Sequence, residues 1–401
     1  MQFIQKTVII SIESLGLGEA PDAPAYGDTG VNTLSDTADQ VKGLNLPNLS
    51  RMGLGNVTFT RGLERVRDTI GFFGKSRQRS DGKDNLAGHW EIAGVDMESL
   101  FYTNPKHFFP EIIDKLERIT HKQFITFEGK SNYNMINRLG EDHRNTGSII
   151  IYYENDMTIV LASHEDVIEN EEFVRYCHTA REICDHYGVT RIKGLRFKGT
   201  QPGKFIVTGD PTPYTMTPPR STLLYAFQKA HIPVYFIGAG EDLFPNDEIT
   251  ESYHFRQDAN ALHKIIEVMK DPHKSVNEQA LIYVALGEID KEYGHKRDPS
   301  GYAAALEKFD QFLPLLFRAM NTADMLIITS SHGNSPCHEG NEHTREYLPI
   351  LVYSRILNVR TQGNLGVRRT TSDIAETLSE IYSLDTHYGA ESFWSYMISQ
   401  I

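Results

Sequence analysis

The chain has 401 residues, 40% of them hydrophobic and 23% charged, with a formal net charge of −13. A single hydrophobic core rarely grows beyond about 250–300 residues, so we expect two domains. The acidic balance argues against a nucleic-acid surface, which needs a basic face. No apolar run approaches the ~18 residues of a membrane span, and three cysteines without CxxC spacing fit a reducing compartment. We therefore expect a cytoplasmic protein that contacts neither nucleic acid nor membrane.

Short apolar runs rich in Ile, Val and Tyr alternate with amphipathic segments along the chain. In chain order, the apolar runs predict strands over Thr7–Ile12, Ile70–Gly74, Ser148–Tyr153, Thr158–Ala162, Pro233–Ile237, Leu281–Leu286, Met325–Thr329 and Ile350–Tyr353. Helical periodicity predicts helices over Pro110–Arg118, Glu171–His186, Thr222–Ala230, Ala259–Met269, Tyr302–Met320 and Ser372–Ile381. The alternation of strands and helices indicates an α/β fold with a largely parallel sheet.

Residues from about 100 to 220 differ from the rest of the chain. Helices and strands are closely spaced there, and the segment ends in a stretch rich in Pro and Thr. We interpret residues 99–218 as a smaller α/β domain inserted into a core formed by 1–98 and 219–401. The linkers are expected near Met97 and Pro218.

Carboxylates and imidazoles cluster just after three of the predicted strands. In open α/β sheets, ligands bind beyond the carboxyl ends of the strands, and a divalent metal needs such side chains. The candidates are Glu13 after the first strand, Glu288, Asp290 and His295 after Leu281–Leu286, and Ser331, His332, His338 and His343 after Met325–Thr329. Taken singly, Glu13 is also typical of a carboxylate in a loop. Likewise, His332 followed by Gly333 is typical of a turn. In combination they favour a metal site.

The segment Gly82–Glu91 also stands out, because glycines bound a run of polar residues that ends in His89-Trp90-Glu91. It is compatible with a turn that opens a helix, with Trp90 packed into the core. The pattern alone favours this interpretation over that of a functional loop.

Together these segments resemble the phosphopentomutase family of the alkaline-phosphatase superfamily, and the resemblance spans nearly the whole chain in order. The motifs that carry it are Glu13-Ser14-Leu15-Gly16, Leu44-Asn45-Leu46-Pro47-Asn48-Leu49, Gly82-Lys83-Asp84, Gly88-His89-Trp90-Glu91, His164-Glu165-Asp166, Tyr293-Gly294-His295, Arg297-Asp298-Pro299 and His343-Thr344-Arg345-Glu346. The resemblance implies an alkaline-phosphatase-like core with an inserted cap domain and two manganese ions. It also implies a phosphosugar substrate, whose phosphate moves between C1 and C5 of ribose or deoxyribose through a phosphorylated threonine.

Three positions depart from the family pattern. Asn85 occupies the place of the phosphorylated threonine, and an amide has no hydroxyl to phosphorylate. Glu13 and Ser331 stand where the family has aspartates. With His332, these residues map to one of the two metal positions, so that position is expected to be weak.

The other metal position keeps the family's Asp290, His295 and His343. The resemblance therefore implies one well-formed site, and we expect one Mn²⁺ or another divalent ion where the family has two.

Substrate-side residues of the cap are only partly retained. Asp156 and Arg196 match family positions, whereas Val207, Pro211 and Ala239 stand where the family has arginines and a lysine. Because arginine forks are preferred partners of phosphate oxygens, these changes weaken the expectation of a sugar monophosphate.

Three functions remain open. The first is a divergent family member with one metal and weak or no mutase activity, which binds a related ligand or a protein partner. The second is an active metal-dependent enzyme with altered phosphoryl-transfer or hydrolase chemistry, in which the metal activates water or positions a different substrate, or in which Ser331 or Ser14 supplies the hydroxyl. The third is a phosphopentomutase that tolerates the changes.

Overall fold

The computed structural model describes residues 4–97, 108–126, 134–155, 158–240, 242–274, 279–340, 342–357 and 363–400. The chain divides into two compact units, one formed by Met1–Met97 with Pro218–Ile401 and the other by Glu98–Thr217. The predicted breaks after residues 98 and 218 lie one residue from these. The assignment of a core domain and a cap domain to the units stays a prediction.

Strands and helices alternate along much of the chain. The strands are β1 (Lys6–Ile12), β2 (Phe72–Ser76), β3 (Phe124–Ile125), β4 (Ile149–Asn155), β5 (Thr158–His164), β6 (Arg191–Lys198), β7 (Ile206–Val207), β8 (Thr212–Thr215), β9 (Val234–Gly238), β10 (Glu251–His254), β11 (Ala280–Leu286), β12 (Met325–Thr329), β13 (Leu348–Tyr353) and β14 (Asn364–Arg368). The helices are α1 (Thr33–Gln40), α2 (Pro47–Met52), α3 (Leu54–Val57), α4 (Asn85–Ile92), α5 (Phe109–Thr120), α6 (Asn134–Thr146), α7 (Asn170–Cys184), α8 (Leu223–Lys229), α9 (Asp258–Lys270), α10 (Pro299–Ala319), α11 (Asp373–Tyr382) and α12 (Trp394–Ser399). A π-helix spans Ile289–Gly294.

The first unit is built on an eight-stranded sheet with the order β10-β9-β11-β1-β12-β13-β2-β14. Neighbouring strands are parallel except for β13, which runs antiparallel to both β12 and β2. Every residue of β1, β11 and β12 is buried, because the sheet is covered on both faces. The predicted α/β fold with a largely parallel sheet is confirmed.

The second unit contains a smaller mixed sheet with the order β3-β4-β5-β6-β7, and β8 also pairs with β6. Apolar residues of β4 and β5 alternate between the two faces. One face packs on α5 and α7 through Ile112, Leu116 and Phe173, and the other packs on α6 through Met135 and Ile136.

The bounds of two predicted elements shift for local reasons. The helix predicted from Tyr302 begins at Pro299, because the Asp298 side chain accepts a hydrogen bond from Gly301 N and caps the helix. The strand predicted from Ile70 begins at Phe72, where pairing with Val352 of β13 starts. Within the described part of the chain, none of the helices has both the length and the apolar character needed to cross a bilayer.

Candidate metal centre

The carboxyl ends of three adjacent strands bring the candidate residues to one edge of the larger sheet. Strands β11, β1 and β12 lie side by side and parallel, so their ends meet there. Glu13 directly follows β1, and Asp290 lies in the π-helix that follows β11. His332 follows β12, and His343 precedes β13.

One carboxylate and three imidazoles converge at this edge. Donor atoms of Asp290, His332 and His343 all lie within 4.8 Å of one another. Asp290 Oδ2 is 3.2 Å from His295 Nε2 and 3.7 Å from His343 Nε2. The rings of His332 and His343 stack with centroids 3.6 Å apart. The structure thus places Asp290, His295 and His343 close together with His332 beside them, and their role as metal ligands stays a prediction.

Neighbouring groups orient this cluster. The amide of Asn334 donates to Asp290 Oδ1 at 2.8 Å, which leaves Oδ2 to face the histidines. Arg297 in turn donates to Asn334 Oδ1 at 2.5 Å. The Nδ1 atom of His343 is 2.7 Å from the Lys83 carbonyl oxygen, which can only accept, so Nδ1 carries the proton and Nε2 is the atom available to a metal. Asn334 was missed at the sequence level because no motif marks it.

The cluster perturbs the ionisation of its own members. Burial would raise the pKa of Asp290, but His343 and the hydrogen bonds with His295 and His343 hold it well below its usual range. Burial would lower the pKa of His343, but the Asp290 carboxylate raises it to about 9. Burial and the neighbouring His343 hold the pKa of His332 well below its usual range. The carboxylate is therefore ionised and His332 is neutral, as metal ligation requires, whereas His343 has to release its Nε2 proton when an ion binds.

The donor set fits a divalent cation. His332 is fully buried, and its Nε2 atom has no hydrogen-bond partner among the described residues. A buried, unpaired imidazole nitrogen is costly unless a further ligand satisfies it. The opposing atoms are a carboxylate oxygen and imidazole nitrogens, which suit divalent transition metals.

A hydrogen-bonded network joins residues that the resemblance assigns to the second metal position. The Asn85 side-chain amide donates from Nδ2 to Glu13 Oε1 at 3.2 Å and accepts at Oδ1 from Ser331 Oγ at 2.9 Å. Glu13 Oε1 is also 3.2 Å from His89 Nε2, and His89 Nδ1 is 2.8 Å from the Tyr283 hydroxyl. The side chains that would ligate an ion at this position therefore hydrogen-bond to one another.

Helix α4 places Asn85 in this network. Asp84 caps the helix by accepting from Leu86 N at 2.8 Å, so Asn85 is the first helical residue. Gly88 permits close packing, since a Cβ atom there would lie 2.0 Å from the Ser331 carbonyl oxygen. The two interpretations of the Gly82–Glu91 segment are thus compatible: the segment opens a helix, and the helix delivers residue 85 to the site.

Comparison with known proteins agrees with the motifs. Residues 5–386 match the model of the Metalloenzyme superfamily. The chain is 36% identical over 391 residues to a phosphopentomutase of Alkaliphilus oremlandii, an alignment that covers 97% of this chain and 98% of that one. It is also 36% identical over 390 residues to a phosphopentomutase of Thermotoga maritima, with the same coverage. The chain belongs to the phosphopentomutase family of the Metalloenzyme superfamily.

The fold has a counterpart among solved structures. A Leishmania mexicana phosphoglycerate mutase is similar with a TM-score of 0.52 and 12% identity, over 97% of each chain. At that identity the likeness concerns the fold alone. The α/β core with its largely parallel sheet thus has a solved counterpart.

An acidic environment surrounds Glu13 where the phosphopentomutase resemblance places a lysine. Ala239 takes that position, and a Cβ on Gly287 would lie 2.9 Å from the Ala239 Cβ and 3.0 Å from Glu13 Oε2. Burial raises the pKa of Asp258 to about 7, and the nearby Glu288 and Glu13 carboxylates add to that shift. Carboxylates rather than cations thus border this part of the site.

In the second unit, the arginine that matches a family substrate position is bound mainly to backbone. Arg196 donates from Nη2 to the carbonyl oxygens of Ile168, at 2.7 Å, and Glu165, at 3.4 Å, and its guanidinium lies over the Phe173 ring. It lines a cleft of about 700 Å³ together with Glu165, Thr208 and neighbouring residues. Asp156, the other predicted substrate residue, lies outside the described residues. The roles of both stay predictions.

Proposed function

We propose that this protein is a divergent phosphopentomutase-family metalloprotein that binds one divalent ion, Mn²⁺, and has weak or no mutase activity. The observation that carries the proposal is Asn85. Its amide lies where the resemblance requires a phosphorylated threonine, and it is bonded on both sides to residues of the second metal position. An amide offers no oxygen that can be esterified by phosphate.

The Asp290 cluster supports the binding of one ion. Asp290, His332 and His343 would hold it, and His295 lies within 3.2 Å of both Asp290 Oδ2 and His343 Nε2. A divalent ion bound there supplies charge that polarises a phosphoryl oxygen. The protein's own residues prepare the site: Asn334 holds one oxygen of Asp290, and the Lys83 carbonyl fixes the His343 proton on Nδ1.

The network around Asn85 supports the loss of the second ion. Glu13 Oε1 lies at hydrogen-bonding distance from both Asn85 and His89, so part of its acceptor capacity is used internally. Ser331 contributes a neutral hydroxyl that already donates to Asn85. One carboxylate and one neutral hydroxyl make a poor manganese site compared with two carboxylates.

We infer that the ligand is a phosphosugar or a related small molecule and that the protein works in the cytoplasm. Family membership supports the first inference, and three cysteines without CxxC spacing support the second. The replacement of expected cations by Val207, Pro211 and Ala239 supports weak binding of a sugar monophosphate. If the protein has no turnover, we infer that it binds its ligand and acts through a protein partner.

The test is a mutase assay with ribose 1-phosphate, Mn²⁺ and a sugar bisphosphate primer, with the Thermotoga maritima relative as a positive control. We expect conversion to ribose 5-phosphate far below ordinary enzyme rates. Turnover of about 1 s⁻¹ or more would reject the proposal. A panel of phosphate esters in the same buffer separates hydrolase chemistry from inactivity, because only a hydrolase releases phosphate from them.

A second candidate is a working phosphopentomutase. The 36% identity over 97% of the chain and the intact Asp290, His295 and His343 favour it. Its mechanism would need a phosphorylated group other than residue 85. Mass spectrometry of the protein after incubation with the primer distinguishes the candidates, since we expect no phosphorylated peptide and the second candidate requires one.

A further inference from the structure

We infer that Asp28 and Arg345 are positioning residues that lock the metal ligand His343 to the loop of residues 78–84, which leads into Asn85 and helix α4. The inference rests on the proposed metal site. It concerns residues that touch neither the donor atoms of the cluster nor the Asn85 amide. They act through the backbone of residues 78–83 and through the segment that follows His343.

The loop and the ligand touch directly at one point. The His343 imidazole donates from Nδ1 to the Lys83 carbonyl oxygen at 2.7 Å. Lys83 lies two residues before Asn85, and Asp84, which caps α4, lies between them. A shift of the loop therefore moves the acceptor that fixes which nitrogen of His343 can ligate.

Asp28 holds both sides of that contact. Its carboxylate accepts from Lys83 Nζ at 2.9 and 3.1 Å, and from the backbone N–H of Arg345 at 2.8 Å. Arg345 lies two residues after His343, so one carboxylate anchors the loop and the ligand segment together. The Asp28 side chain is only 3% exposed, and a charge-assisted bond is strong in such surroundings.

Arg345 completes the connection from its guanidinium. This side chain is 1% exposed and donates to the carbonyl oxygens of Gln78, Ser80 and Gly82 at 2.6–2.9 Å. It also donates to the Asp22 carboxylate at 2.8 and 3.0 Å. A planar fork with five donors can hold three carbonyls and a carboxylate at once, which a lysine cannot do.

The consequence is a reciprocal coupling between loop order and metal affinity. When Asp28 and Arg345 hold the loop in place, the Nε2 atom of His343 faces Asp290 before an ion binds. Binding then costs less conformational entropy, so the affinity for the ion is higher. If the connection is cut, the ion has to order the loop and its affinity falls. Removal of partners that orient a metal ligand typically costs 10–100-fold in affinity.

The experiment uses the full-length protein and Mn²⁺ alone. Asp28→Asn removes the charge that accepts from Lys83 Nζ and from the Arg345 N–H. Lys83→Met removes the Lys83 ammonium group and keeps the Lys83 carbonyl. The matched control is Asp310→Asn. Asp310 is a fully buried carboxylate that accepts from Asn48 and Leu49 of α2, away from the centre.

We expect the dissociation constant for Mn²⁺, measured by calorimetry, to rise about tenfold or more in Asp28→Asn and Lys83→Met and to stay unchanged in Asp310→Asn. Hydrogen exchange of residues 78–85 in the metal-free protein should speed up in the first two variants only. Unchanged affinity and unchanged exchange in both would overturn the inference.

Failure of the proposed function is distinguishable from failure of this inference. If the unmodified protein binds no Mn²⁺, the single-ion proposal fails. The exchange of residues 78–85 in the metal-free variants then decides the inference: faster exchange supports the positioning role of Asp28, and equal exchange refutes it.

Discussion

Asn85 donates from its side-chain amide to Glu13 Oε1 at 3.2 Å, and the same amide accepts from Ser331 at 2.9 Å. An asparagine can make both contacts because it carries a donor and an acceptor on one planar group. The three residues that depart from the family pattern are thus hydrogen-bonded in a row. Asn85 lies in the middle and pairs its donor with Glu13 and its acceptor with Ser331. In this geometry neither Asn85 nor Ser331 is left unpaired when no ion lies between them.

Restoring the family residues should restore the second ion. We expect the triple variant Glu13→Asp, Asn85→Thr, Ser331→Asp to bind about one more Mn²⁺ per chain, because two carboxylates and a hydroxyl replace the amide network. It should also incorporate phosphate from the bisphosphate primer. The control is Glu13→Asp with Ser331→Asp, which keeps the amide and should incorporate none. Incorporation by that double variant would contradict the role given to residue 85.

His332 should be essential for the remaining ion. His332→Ala removes a buried nitrogen that has no hydrogen-bond partner among the described residues, so we expect metal affinity to fall at least 100-fold. At an Mn²⁺ concentration 100 times the dissociation constant, the ion should stabilise the unmodified protein by about 2.7 kcal/mol. Thermal unfolding with and without Mn²⁺ should show this gain in the unmodified protein and in the exposed-site control His273→Ala, but not in His332→Ala. An equal gain in all three would exclude His332 as a ligand.

Glu91 is predicted to support the fold rather than the chemistry. Its buried carboxylate accepts from Arg79 N, Ser80 N and the Thr370 hydroxyl at 2.6–3.0 Å. Glu91→Gln should lower the free energy of unfolding by about 2–3 kcal/mol, because bonds to a charged acceptor are weakened or lost. Urea unfolding measures this cost, with exposed Glu267→Gln as the control. A change below about 0.5 kcal/mol at Glu91 would refute the prediction.

Acid should destabilise the second unit through His143. This fully buried ring donates from Nδ1 to Ser148 O and accepts at Nε2 from His164 N, so it is neutral. Burial lowers its pKa, and the neighbouring His164 and Arg196 lower it further. The unfolded chain then binds more protons, so stability is fully present above pH 6.5 and is lost as the pH falls toward the folded pKa, by at most about 1.4 kcal/mol per pH unit.

Urea unfolding at pH 7.5 and pH 5.5 checks the effect of His143. We expect His143→Gln to reduce the loss of stability between the two pH values, while exposed His186→Gln leaves it as in the unmodified protein. The same pH dependence in all three proteins would contradict the assignment.

Much of the fold could be predicted because buried strands carry a strong apolar signal. Leu281–Leu286 and Met325–Thr329 are continuous apolar runs, and the structure places strands there. Strand β6 was missed because Gly194 and Leu195 interrupt the alternation of apolar and polar side chains that predicts a half-buried strand. Short helices such as α2 and α3 were missed because four to six residues hold too little periodicity.

The site was only partly readable from the sequence. The resemblance gave Asp290, His295 and His343, and it placed His332 with Glu13, whereas the structure stacks its ring on His343. The contact between His89 and Glu13 could not be predicted, because it joins residues 76 positions apart through their three-dimensional arrangement.

The number and position of bound ions test the central claim most directly. The measurement is anomalous diffraction from crystals of the full chain grown with Mn²⁺, with metal content determined on the same protein. The account predicts one ion per chain, bound by Asp290, His332 and His343, and the Asn85 amide still bonded to Glu13. Two fully ligated ions flanking a phosphorylated side chain would contradict it.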